Sequence, residues 1–161
     1  MKKTISILLA AALALCLLAG CGKKAVSEPD MSALADLVDA AIGNEGALVE
    51  TDANYIKGMM KMDVSDYAAY TVKINTIGIA IDEYGIFKGA DEAQAKEIKT
   101  AVENYLQLRE DTWMKEYRPE EFPKLQAAEV WTEGNYVMYA ILSDDAKAAA
   151  SGAFTGAFME G

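Results

Sequence analysis

The sequence predicts an α+β domain: an antiparallel sheet of about four strands, covered by helices on one face, in the order ααββαββα. Three observations lead there. Two strand-type segments, 66–74 and 83–88, precede the longest helical pattern, 92–115. A second pair, 128–132 and 136–142, follows it and is joined by Glu133-Gly134-Asn135, a turn signal because glycine and asparagine tolerate positive φ. An alanine-rich helical pattern, 145–158, closes the chain. Paired strands separated by helices fit an antiparallel sheet better than a run of parallel βαβ units.

Each element has a local reason. Asp30 can cap a helix from Met31 to Ile42, where Leu34, Leu37, Val38, Ala41 and Ile42 recur at helical spacing. Gly43 stands where a left-handed residue ends such a helix, and 43–46 is a loop. Thr51 or Asp52 can cap a shorter helix over 53–60. In 66–74, Ala68, Tyr70, Val72 and Ile74 form one face, opposite Tyr67, Ala69, Thr71 and Lys73. Gly78 marks a turn or bulge in the apolar stretch 75–81. Asp91 and Gln94 have capping-box spacing, and Ala95, Ile98, Val102, Tyr105 and Leu108 form the buried stripe of the long helix. Residues 117–123 are a proline-bounded connection. The strand 136–142 is apolar on both faces, which places it centrally in the sheet. Ser143 or Asp144 caps the last helix, whose large anchors are Phe154 and Phe158.

The N-terminus carries the clearest functional signal. Lys2 and Lys3 precede an apolar run from Ile5, which ends in Leu18-Ala19-Gly20-Cys21. A basic start, an apolar stretch and small residues before the cleavage point define a secretory signal peptide. The cysteine makes the last four residues a lipobox. Cleavage before Cys21 would free its amine, and its thiol would accept a diacylglyceryl group. A spanning helix needs roughly 20 apolar residues; this run is shorter and is followed at once by Gly22, Lys23 and Lys24. Cys16 is the poorer acceptor, because bulky Leu15 precedes it. The expected organisation is signal peptide 1–20, lipidated tether 21–30 and a single domain 31–161. Acyl chains on Cys21, at about 0.8 kcal/mol per buried methylene, would hold the protein on the extracytoplasmic face of the cell membrane.

Composition removes several function classes. The mature chain of 141 residues can bury a real core. Loss of Lys2 and Lys3 takes the net charge from −10 to about −12, which argues against nucleic acid as a partner. There is no histidine, so Ser-His and Cys-His nucleophile pairs, histidine bases and the usual zinc sites are excluded. The two cysteines are Cys16 and Cys21; one leaves with the signal peptide and the other is lipidated, so no internal disulfide is expected. No cofactor is expected.

The remaining candidates are sparse. Met59, Met60 and Met62 could be read as a thioether site for soft metals, but methionines also fill irregular core space, and no cysteine or histidine stands beside them. Asp82-Glu83 is a candidate surface site, because paired carboxylates serve acid–base or calcium chemistry. Asp144-Asp145 is explained by the preference of helix starts for acidic residues. Gly134-Asn135-Tyr136 is explained by the hairpin. Arg118-Pro119-Glu120 and Trp131 could line a surface groove.

Three stretches carry a resemblance: DEYGIFKGADEAQAKEIKTAV (82–102), YRPEEFPKLQAAEVWTEGNYVMYAILSDDA (117–146) and the lipobox. In their order and spacing the chain resembles a family of small lipoproteins from Gram-positive bacteria, catalogued as domain of unknown function 4358. The resemblance implies an exported lipoprotein and a common fold, and brings no activity or site residues with it. The ending AAASGAFTGAFMEG departs from the more charged terminus of that family.

The expected function is therefore a non-enzymatic interaction module, tethered through Cys21, that binds an envelope protein or peptide. The alternative is a small-ligand-binding lipoprotein serving a transporter, which would need a deep pocket between the sheet and the long helix. An enzyme using carboxylates alone would need two facing acids in a cleft.

Overall fold

Asp30 sets the first helix. Its carboxylate accepts from the backbone N–H groups of Ser32 and Ala33 at 2.9 and 3.3 Å in the computed structural model, which describes residues 28–159. Helix α1, Met31–Ile42, ends at Gly43 with φ 66°. Strand β1 follows at Leu48–Glu50, between the predicted loop 43–46 and the predicted cap at Thr51 or Asp52. Asp52 caps α2, Ala53–Tyr55, which runs into a π-helical turn at Ile56–Met60. The hairpin strands are β2, Ala69–Asn75, and β3, Glu83–Lys88. The long helix α3 spans Glu92–Thr112, ending three residues earlier than predicted as Trp113 turns to extended backbone. The proline-bounded connection leads into a short helix, α4, Phe122–Gln126, with Pro123 in its first turn. Strands β4, Glu129–Glu133, and β5, Tyr136–Ile141, are joined by Gly134 at φ 57°. Helix α5, Asp144–Gly156, is capped by Ser143.

The sheet is antiparallel throughout, in the order β1-β2-β3-β5-β4. It thus has five strands rather than about four. The helices also cover both faces, where the sequence predicts cover on one. The reason lies in β3 and β5. Both are apolar on both faces, and a strand of that kind needs cover on both sides. Phe87, Val137, Tyr139 and Ile141 pack against Ile98, Val102 and Tyr105 of α3. Tyr84, Ile86, Met138 and Ala140 pack on the opposite face with Leu34 and Val38 of α1 and Ala150 and Phe154 of α5.

The root of the tether is held by the domain. Glu28 pairs with Lys88 at 2.6 Å, and the Tyr136 hydroxyl donates to the Pro29 carbonyl at 2.7 Å. Both contacts lie at the end of the sheet where Ala69 pairs with Lys88. Residues 18–21, the lipobox, lie outside the described residues.

Candidate functional site

The Asp82-Glu83 pair is divided by the fold. Strand alternation sends Glu83 inward beneath α3, where it is 2% exposed, so it is not part of a surface site. Its carboxylate accepts from the Tyr105 hydroxyl at 2.5 Å, the Tyr139 hydroxyl at 3.1 Å and the Arg109 guanidinium at 3.0 Å. Burial pushes the Glu83 carboxyl above its ordinary pKa, against the opposing pull of Arg109 and the two tyrosines. Burial also raises both tyrosine hydroxyls, and the Glu83 charge adds to it. For Arg109, burial works against the charge, but Glu83, Tyr105 and Tyr55 together outweigh it and the guanidinium is held more firmly protonated. The network is a closed set of paired groups, and its role is to join α3 to β3 and β5.

Asp82 takes a different partner. Lys124 of α4 donates to it at 3.0 Å and reaches Glu121 at 3.2 Å. Glu121, only 7% exposed, also accepts from the Ile81 N–H at 3.0 Å. These bonds clamp α4 onto the segment entering β3. Arg118 lies 2.7 Å from Glu120 and so belongs to the same connection.

The face under α1 carries a third polar group. Asp39 binds Lys73 at 2.5 Å and accepts from the Tyr84 hydroxyl at 2.8 Å and the Asn44 amide at 2.9 Å. Burial would raise its pKa, but Lys73, Asn44 and Tyr84 together hold it below the ordinary carboxylate value.

The accessible feature is the outer edge of β2. The Asn75 N–H donates inward to the Asp82 carbonyl at 2.9 Å, whereas the Val72 carbonyl accepts from the Thr51 N–H on the β1 side at 2.8 Å. By two-residue alternation, the Tyr70 N–H and carbonyl also face the β1 side. However, β1 pairs only with Lys73–Asn75, and after Thr51 the chain turns away into α2. Among the described residues, no strand lies beside Ala69–Thr71 on that side.

A hollow flanks this edge on each face. A groove of about 630 Å³ runs between α1 and β2, bordered by Asp36, Glu50, Ala69 and Thr71. A second, of about 430 Å³, lies toward α2, bordered by Asn54, Lys57 and Val64. Tyr67 and Tyr70 border both. An exposed backbone edge between two hollows is the geometry that receives an added strand, whose side chains alternate to either side.

Residues 40–142 match the family model described as a domain of unknown function, DUF4358. The chain belongs to this family. No curated protein and no solved structure matches it.

The other sequence candidates fall into place as structure. Met60 and Met62 enter the core beneath α3, while Met59 is exposed. Trp131 packs against the α1–α5 cluster. Asp144 and Asp145 occupy the first turn of α5, and Asp144 pairs with the buried Lys147 at 3.2 Å. Asn135 secures the hairpin by donating to the Gly89 carbonyl at 2.8 Å. Among the described residues, no group of three or more Cys, Asp or Glu side chains is arranged to hold a metal ion, and no helix is long and apolar enough to cross a membrane.

Proposed function

We propose that this chain is a membrane-held extracytoplasmic lipoprotein, anchored through lipid on Cys21, that acts without catalysis by engaging an extended segment of an envelope protein. The observation that carries this reading is the unpartnered edge of β2 with a hollow on either side. Main-chain bonds to Tyr70 would supply affinity, and the hollows would supply selectivity. Glu28 is seven residue steps from Cys21, a reach of at most about 25 Å. The tether root and the start of β2 share one end of the sheet, so the edge would stand close to the membrane.

Packing favours this reading over a small-ligand carrier. Ile98, Val102, Tyr105, Val137 and Tyr139 fill the space between the sheet and α3, where a deep pocket would be needed.

Proximity labelling in the native host, comparing the parent with Cys21→Ala, tests the proposal. The expected result is a dominant membrane neighbour that disappears in the variant. The same neighbours in both forms would count against a membrane-held interaction.

A further inference from the structure

Strand addition alone does not say which segment binds. The chemistry of the α1-side groove does. Three carboxylates border it, from Asp30, Asp36 and Glu50. Asp30 is occupied in capping α1, and Glu50 accepts from the Thr71 hydroxyl at 3.1 Å, but neither contact supplies a countercharge. The cation on its wall, Lys73, is already held by Asp39 at 2.5 Å. The groove is therefore left with excess negative charge. The α2-side hollow differs: its Lys57 and Asp63 pair with each other at 2.6 Å, and Tyr67 and Tyr70 give it an aromatic wall.

We propose that the β2 edge takes an extended peptide segment bearing lysine or arginine at alternate positions, its backbone paired with Tyr70 and its cations lying on the α1 side against Asp36 and Glu50. This rests on the strand-addition reading above. Intervening side chains would fall on Tyr67 and Tyr70, where apolar and aromatic groups fit. Charge also decides against a second copy as occupant. Pairing two β2 edges would bring two sets of the same carboxylates together on chains that each carry −10. The edge itself is unguarded, since Ala68 and Ala69 present neither the lysine nor the proline that usually blunts an exposed strand.

The test pans a displayed library of random dodecapeptides against the full chain in detergent. It then measures retained peptides on the parent and on an Asp36→Asn, Glu50→Gln double variant. Both substitutions keep hydrogen-bonding capacity, and both sites are exposed. The expected result is enrichment of alternating lysine or arginine, about tenfold weaker binding to the double variant at low salt, and protection of the Tyr70 amide from hydrogen exchange. Peptides that protect Tyr70 without basic preference, or that ignore the double variant, would overturn the cationic assignment and leave strand addition standing. Retention of no peptide, binding that leaves Tyr70 unprotected, or dimerisation through this edge would overturn both.

Discussion

Arg109→Ala is expected to destabilise the domain by about 3–5 kcal/mol at pH 7, because it strands a buried carboxylate. Glu83 is 2% exposed, and among the described residues Arg109 supplies its one countercharge, at 3.0 Å. The tyrosine hydroxyls of Tyr105 and Tyr139 would remain as donors, but they carry no positive charge. The loss should depend on pH with a definite sign. Burial already lifts the folded-state pKa of Glu83 above its ordinary 4.5, and removing Arg109 lifts it further. A carboxyl raised on folding binds more protons in the folded state, so stability falls as pH rises from the unfolded value through the folded one. The deficit of the variant should thus be largest at neutral pH and shrink as pH falls toward about 4.5, below which Glu83 is protonated in both states. Urea unfolding at pH 7 and pH 4 measures this. Equal losses at both would mean that Arg109 acts through packing alone. A Glu83→Leu, Arg109→Met double variant should recover much of the loss, since no charge is then left buried.

Gly85→Ala is expected to cost about 1–3 kcal/mol, or more if the site cannot yield. A Cβ on Gly85 would lie 2.5 Å from Tyr139 Cε1 and 3.0 Å from Val72 Cγ2. Tyr139 has little freedom to retreat. It is fully buried, stacked on Phe87 with centroids 6.4 Å apart, edge-on to Tyr105 at 5.8 Å, and bonded to Glu83. Moving the ring would loosen the same network that Arg109 completes. Gly152→Ala is the control: its Cβ meets no heavy atom within 4 Å, on the exposed side of α5. That substitution should stabilise by about 0.5–1 kcal/mol, because glycine is costly within a helix. Thermal unfolding of the two variants should therefore shift in opposite directions. A neutral Gly85→Ala would show that the packing around Tyr139 is looser than described.

Long, strongly patterned segments were legible in the sequence. The strand-type segments 83–88 and 136–142 and the stripe from Ala95 to Tyr105 each produced the element they predict. Strand β1 was not legible, because three residues are too few to show a period. The Thr51-Asp52 capping signal marked the helix after it, and the same signal is why β1 stops and leaves β2 uncovered. The α4 helix was hidden by Pro119 and Pro123, which mark a connection as readily as a helix start. Glu83 was misplaced because an Asp-Glu pair looks exposed in isolation. Its signal lay in the alternation it shares with Gly85 and Phe87, and in Tyr105 and Arg109, spaced i, i+4 on the helix that meets it. The open edge has no local signature, since it depends on a neighbour being short.

Photo-cross-linking from that edge tests the central claim most directly. A photoreactive residue at Ala68 of the full chain, in membranes of the native host, would be compared with one at Thr132, exposed on β4 at the opposite edge of the sheet. The expected result is a discrete adduct from Ala68 that is absent from Thr132. No adduct at Ala68, or the same adducts from both positions, would contradict it.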